Sequence, residues 1–320
     1  MNILSLEDLQ TTLVYGDKRI VVADHIDLNL KKNEILGIVG ESGCGKTMTC
    51  LSLAGLVPKN AVIRFKNYSF DDCAIDLFDH RTLKALRTKA ISYIFQESEE
   101  YINPLFSIGE QIAESIIFTS RISKSEAEKE ASRLLEQVGL SPSNEYYSRF
   151  IHELSGGQNQ RAMIALALST SPKVLIADEP TTALDVSIER SILELTRQLV
   201  RTRGISVIWI THDISLISSI ADRLFVMYAA RVVEEGGTQK ILKTPAHPYT
   251  QALLSCLPER LTKKRFVPIP GDVADLSDLP AGCKFHPRCP YRMDICLKKE
   301  PGWTEVRHDQ KAKCYYVQKT

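Results

Sequence analysis

No uncharged apolar run approaches the roughly 18 residues that a membrane-spanning helix needs, so the 320-residue chain offers no transmembrane segment. The opening Met1-Asn2-Ile3-Leu4-Ser5-Leu6-Glu7-Asp8 carries acids where a secretory signal needs positive charge, so export is not expected. Net charge is also lacking: 40 lysines and arginines meet 39 aspartates and glutamates, a formal +1. That balance excludes a global field toward nucleic acid or anionic lipid, and any such contact has to be local. Repeats of roughly 20 to 50 residues and low-complexity tracts are missing too. The length allows one large core, which stops growing near ~250 to 300 residues, plus an appendage. Eight cysteines are present, yet Cys44, Cys50, Cys73 and Cys256 are scattered singly. Without an export signal they point to a reducing compartment rather than a disulfide framework.

The run Glu34 to Val39 is short, apolar and partly β-branched, and a glycine-rich turn leads from it into helical spacing over Lys46 to Leu56. Further buried strands are predicted at Ile91–Phe95, Val174–Ala177 and Val207–Ile210, with helical patterns between several of them. Strands this apolar, separated by helices, predict an α/β fold with a mostly parallel sheet covered on both faces. Ser123 and Glu126 form a capping box ahead of an amphipathic helix reaching Leu140. Composition changes after Pro258: Val267-Pro268-Ile269-Pro270-Gly271-Asp272 precedes a cysteine-rich tail with little helical or strand periodicity. A boundary is placed near residue 260.

Gly40-Glu41-Ser42-Gly43-Cys44-Gly45-Lys46-Thr47 fits the phosphate-loop pattern G-x-x-x-x-G-K-[ST], after a strand and opening a helix. The residues from Gly40 through Ser42, Gly43, Cys44 and Gly45 are expected to turn successive N–H groups around a β-phosphate, with Lys46 bridging β- and γ-phosphates and the Thr47 hydroxyl on Mg²⁺. Cys44 is read as a small residue whose N–H acts, with a thiol open to modification where the empty loop exposes it. Val174 to Ala177 ends in Asp178-Glu179, at the strand end where ligands of open α/β sheets bind. Asp178 is expected to hold Mg²⁺ through water and Glu179 to polarise the attacking water. His212, after the next strand, is read as a γ-phosphate sensor, and Gln96, closing the strand from Ile91, as a residue reaching the metal and the attacking water.

Leu154-Ser155-Gly156-Gly157-Gln158, followed by Gln160-Arg161 and a helical run to Ser169, resembles the signature sequence of ATP-binding-cassette ATPases. The other landmarks fall in that family's order: phosphate loop, Gln96, signature, Asp178-Glu179, Ala183-Leu184-Asp185, then His212. The resemblance implies a P-loop NTPase domain over residues 1–258, with an antiparallel β subdomain, a helical subdomain at about 100–165, and an extension over 259–320. Ser155-Gly156-Gly157 at a helix start makes a second anion site. By resemblance, Ser155, Gly156, Gly157 and Gln158, together with Asp185, close over the γ-phosphate held by the partner's loop in a head-to-tail dimer. Tyr15 is similarly implied to stack on adenine, and Thr49 to belong to the nucleotide-binding set. The Gln96 region and the helical subdomain are implied to pass closure on ATP to two integral membrane permease subunits.

Gln96 to Leu105, with Asn103-Pro104, and Ala246-His247-Pro248-Tyr249 to Leu254 resemble the oligopeptide, dipeptide and nickel importer branch. Glu97-Ser98 replaces the aspartate-proline usual there, and Ala61 to Lys66 lacks the usual glycines. Cys283, Cys289, Cys296 and Cys314 are separated by five, six and seventeen residues, and Pro287, Pro290 and Pro301 favour turns that let them converge. Four thiolates suit [4Fe–4S] or Zn²⁺, and the chemistry alone does not choose. The resemblance favours iron–sulfur. It further implies a subunit at the cytoplasmic face of the cell membrane, paired with a homologue or a second copy, served by an extracytoplasmic substrate-binding protein, and taking no nucleic acid. A soluble cassette acting on nucleic acid or ribosomes, and a nickel importer, stay open as alternatives.

Overall fold

The computed structural model describes every residue except Glu97, Ala183, 258–268 and 319–320. The expected boundary near residue 260 lies outside the described residues. The chain forms two compact units, Met1–Ile75 with Ile210–Thr320, and Asp76–Trp209.

The first unit begins with the long hairpin β1 (Asn2–Tyr15) and β2 (Lys18–Lys31), closed by a turn with Gly16 at φ 59°. β3 (Ile35–Val39) is the predicted apolar run, and all five residues are buried. A glycine loop then opens α1 (Lys46–Leu53), which stops short of the expected Leu56 because Gly55 takes φ 62°. β4 (Ala61–Arg64) and β5 (Asn67–Phe70) pair antiparallel with β1, in registers Thr11↔Ile63 and Leu6↔Tyr68, and β6 (Cys73–Ala74) extends β5. This is the antiparallel β layer that the resemblance implies.

The second unit opens with α2 (His80–Ala85), capped by Asp79, and β7 (Ile91–Ile94). Helices α3 (Ile108–Ser120), α4 (Lys124–Gln137), α5 (Ser143–Tyr147) and α6 (Gly156–Leu168) follow, then β8 (Val174–Asp178), α7 (Val186–Arg203) and β9 (Ser206–Thr211), which leads back to the first unit. β7 and β8 are parallel, with Ile91 opposite Val174. α4 has the expected capping box, Glu126 N–H to Ser123 Oγ at 3.3 Å and Ser123 N–H to Glu126 Oε2 at 3.0 Å, and Ser107 with Glu110 repeats it on α3. Hydrogen bonds from the serines hold both glutamates below the usual 4.5. A depressed carboxyl adds stability that is complete above 4.5 and is lost as pH falls through the folded value. Amide-exchange protection of α3 and α4 should therefore weaken as pH falls below 4.5, and Glu126→Gln should flatten that response at α4.

Back in the first unit come α8 (Ile214–Ser218), β10 (Arg223–Tyr228), β11 (Arg231–Gly237), α9 (Thr238–Lys243) and α10 (Pro248–Ser255). The tail adds α11 (Asp294–Lys298), β12 (Thr304–Arg307) and β13 (Gln310–Ala312). β10 lies parallel to β3, with Phe225 opposite Ile38, while β11, β13 and β12 continue outward antiparallel. The expectation of a mostly parallel sheet is thus corrected to a mixed one. β10 reaches β11, and β12 reaches β13, through tight turns, which can only join antiparallel neighbours. The tail is likewise more regular than its sequence suggests, because β13 binds the β11 edge at Glu234↔Ala312. Among the described residues no helix is long and apolar enough to cross a membrane.

Candidate functional site

The phosphate loop follows β3 within the first unit. Gly45 sits at φ 101°, and a Cβ there would lie 2.2 Å from the Val22 carbonyl oxygen; one on Gly40 would lie 2.3 Å from the Met227 carbonyl oxygen. Both glycines are therefore required by close backbone approach, and Gly45 by its left-handed conformation as well. Lys46 is 5 % exposed, and its ammonium donates to the carbonyls of Gly40 at 2.8 Å and Glu41 at 3.0 Å. Ser42 and Gly43 are exposed, whereas Thr49 is buried with its hydroxyl donating to the Gly45 carbonyl at 2.9 Å. Thr47 lies at the start of α1 and is partly exposed. Cys44 is 3 % exposed, and burial raises its thiol above the ordinary value against the opposing pull of Lys46. The loop therefore does not offer the open thiol anticipated from the sequence, since a buried, protonated sulfur is a poor nucleophile. In the same unit Tyr15 is 57 % exposed at the hairpin end, and His212 is exposed just after β9, ahead of the Asp213 cap of α8.

The acid pair ends β8 in the second unit. Asp178 is buried and accepts from the Tyr93 hydroxyl at 2.9 Å. Glu179 takes φ 45°, the left-handed region that side chains with a Cβ rarely enter, and its carboxylate accepts from the Thr182 hydroxyl at 3.0 Å. Strain at a strand end beside an acid is the kind stored at functional sites. Gln96 is exposed in the turn after β7; Glu97 and Ala183 lie outside the described residues. Ser155 and Gly156 are exposed at the N-terminus of α6, where the Ser155 N–H donates to Gln158 Oε1 at 2.9 Å. Gly157 is buried, and a Cβ there would meet Ile188 at 2.7 Å. This 13-residue helix turns its positive end, with Ser155 and Gly156 exposed, to solvent, and Asp185 is exposed at the start of α7.

In the tail, Cys283, Cys289, Cys296 and Cys314 line one small pocket, walled by Phe285, Tyr291, Tyr315 and Tyr316. Burial pushes the Cys283 thiol up to about 12, and the other three thiols add to the rise; Cys289 and Cys314 are raised for the same reasons. Among the described residues, however, no three His, Cys, Asp or Glu side chains are grouped as ligands of a metal ion. The four cysteines share one pocket without forming a metal-ion ligand group. The donor set itself, four soft sulfurs in an aromatic pocket without carboxylates, is of a type that suits zinc and an iron–sulfur cluster alike.

Some residues here escape sequence reasoning. Glu41 accepts a two-pronged contact from Arg288, and its N–H donates to the Tyr249 hydroxyl at 2.9 Å. Only the place of Glu41 inside the loop motif, and of Tyr249 inside His-Pro-Tyr, hinted at them. Tyr93, the partner of Asp178, carries no motif at all.

The ABC transporter family matches residues 23–182, and the C-terminal region of the oligopeptide/dipeptide transporter family matches residues 233–296. The oligopeptide transport ATP-binding protein AppD of Bacillus subtilis is 38% identical over 98% of this chain and 96% of its own. The dipeptide transport ATP-binding protein DppD of Escherichia coli is 37% identical over 99% of this chain and 97% of its own. Among solved structures, the dimeric bacterial ABC transporter cassette MJ0796 shares 28% identity and a TM-score of 0.65, covering 73% of this chain and 98% of that one. The same cassette is also known in a post-hydrolysis state with ADP and phosphate bound. By near full-length similarity and by both family matches, the chain belongs to the ABC transporter family as an ATPase cassette carrying the C-terminal region of its oligopeptide/dipeptide transporters.

Proposed function

We propose that the chain is the ATP-hydrolysing subunit of an importer for di- or oligopeptides, working peripherally at the cytoplasmic face of the membrane. The observation that carries this reading is the joint presence of the phosphate loop, held open by Gly40 and Gly45, and the oligopeptide/dipeptide C-terminal region. The N–H groups from Gly40 to Gly45 would take the β-phosphate, Lys46 would give up its loop carbonyls for β- and γ-oxygens, Thr47 would be a Mg²⁺ ligand, and the resemblance assigns Asp178 and Gln96 to the metal as well. Thr49 braces the loop from within through the Gly45 carbonyl, and Tyr15 offers its exposed ring to adenine. Glu179 polarises the attacking water, and His212 donates to the γ-phosphate. Ser155, Gly156, Gly157 and Gln158, with Asp185, serve the nucleotide of a second ATPase subunit, either a copy of this chain or a homologue. The exposed Tyr101, Leu105 and Phe106, following Gln96, suit docking against two membrane permease subunits. An extracytoplasmic binding protein delivers the solute to that assembly.

The four tail thiols hold a [4Fe–4S] cluster, which supplies a structural staple when bound. What supports this reading is that all four cysteines line one aromatic pocket. Burial raises the thiols of Cys283, Cys289 and Cys314, so loading as thiolates must release protons. Anaerobic purification of the tagged chain from its native host should recover two integral membrane proteins, a second cassette ATPase and about four irons with matching sulfide per chain. A soluble chain bound to nucleic acid or ribosomes would overturn the importer reading. In Cys289→Ser, iron should fall below half and the thermal midpoint should drop; unchanged iron would remove Cys289 from the ligand set.

A further inference from the structure

Glu41 occupies a position that the phosphate-loop motif leaves open, yet the far end of the chain holds it from two sides. Arg288 Nη1 and Nη2 donate to its two carboxylate oxygens at 2.7 and 2.9 Å, across 247 residues of sequence. Its N–H donates to Tyr249 Oη at 2.9 Å, and its carbonyl accepts from the Lys46 ammonium at 3.0 Å. One peptide of the loop is thus fixed at its side chain and its N–H by residues outside the motif, while its carbonyl anchors the motif's lysine. The pair is desolvated, with the Arg288 side chain 5 % and the Glu41 side chain 19 % exposed. A planar fork in that setting specifies geometry as well as charge.

Both holders connect to the thiol pocket. Arg288 belongs to the short turn His286–Arg288, set between Cys283 and Cys289, and its Nε donates to the Pro270 carbonyl at 2.8 Å. Its guanidinium lies 5.8 Å from the Tyr228 ring centre. Tyr249 opens α10 after the His247 cap, and its ring lies 5.5 Å from that of Phe285, which lines the thiol pocket beside His247. The pocket, the aromatic group and the ion pair form one contiguous path that ends on the loop.

We propose that Arg288 and Tyr249 are positioning residues of the phosphate loop, through which the cysteine-bearing tail presets the conformation of Gly40 to Lys46 and hence its nucleotide affinity. The proposal rests on the reading of that loop as the ATP site. A glycine-rich loop loses much backbone freedom when it wraps a phosphate, and anchoring Glu41 beforehand removes part of that cost from binding. Linkage makes the coupling reciprocal: nucleotide in the loop should tighten the tail.

The test uses the full chain, titrated with a fluorescent ATP analogue and Mg²⁺. Tyr249→Phe keeps the ring and deletes the oxygen that accepts the Glu41 N–H, so affinity should fall roughly 2- to 10-fold. Arg288→Lys keeps the charge but loses the fork, and should weaken binding similarly; Arg288→Gln should cost roughly 10- to 100-fold. All should raise KM for ATP more than they lower kcat. Glu41→Gln combined with Arg288→Gln should bind no worse than the weaker single variant. In the parent, Mg–nucleotide should slow hydrogen exchange over residues 283–289, and Arg288→Gln should abolish that protection. If Arg288→Gln fails to fold, Tyr249→Phe and Arg288→Lys decide. Folded variants that bind as the parent does, or additive losses in the double variant, overturn the proposal. Lys46→Ala separates the two readings: binding abolished there but intact in the tail variants sinks the positioning role alone, whereas a parent that binds no nucleotide sinks the ATP site and the positioning role together.

Discussion

Replacing Glu179 with glutamine should lower ATP turnover by about 10²- to 10⁴-fold, the usual contribution of a positioned general base, while leaving ATP binding intact. Glutamine matches glutamate in shape and can still accept the hydrogen bond from Thr182, so the left-handed strand end should survive the change. What disappears is the anionic oxygen expected to polarise water. Because closure on ATP should persist while the step that reverses it fails, the variant should accumulate as an ATP-bound dimer, visible as a shift in size-exclusion elution that the parent shows only transiently. Hydrolysis as fast as the parent's would remove Glu179 from the role of base.

Lys46→Ala carries the second large effect. The ammonium is expected to make charge-assisted contacts to two phosphates, each worth about 1.5–3 kcal/mol net. Losing both corresponds to roughly a 100-fold or greater loss of affinity. The structure adds a smaller cost, because the Gly40 and Glu41 carbonyls that now accept from the ammonium would lose that partner. Thermal unfolding with and without Mg–ATP is the direct measurement. Ligand at about 100 times its Kd stabilises the parent by about 2.7 kcal/mol, and the variant at the same concentration should gain almost nothing. An equal gain in both would mean that Lys46 does not touch the nucleotide.

The parts of the molecule that were legible in the sequence are those whose cause is local. β3 is an unbroken apolar run, and Gly45 must be glycine because its φ is 101° and the Val22 carbonyl lies where a side chain would start. Ser123 and Glu126 cap α4 through bonds spanning three residues. Arg288 was invisible for the opposite reason: its partner is 247 positions away, and nothing in the run His286-Pro287-Arg288 signals a loop on the other side of the unit. β12 and β13 were missed because strands of four and three residues carry too few alternations to register; β13 is recruited by the edge of β11 and β12 by β13. Cys44 was misjudged in exposure because a motif fixes the path of the backbone but not what packs beneath it.

The parallel seam between β3 and β10 joins residues 35–39 to residues 223–228, and beyond β11 the two outermost strands come from the last twenty residues of the chain. During synthesis the unit that contains the phosphate loop therefore emerges first and is completed last. β3 must wait for a partner that is still being translated, whereas the uninterrupted stretch Asp76–Trp209 holds the β7–β8 pair once it leaves the ribosome. At about 5–20 residues per second, that leaves the β3 segment without its neighbour β10 for roughly 10 to 40 seconds. In that window the all-apolar strand is exposed to aggregation and to chaperones. A nascent chain truncated before residue 223 should thus show a protease-resistant middle and a labile beginning, a stability order opposite to the order of synthesis.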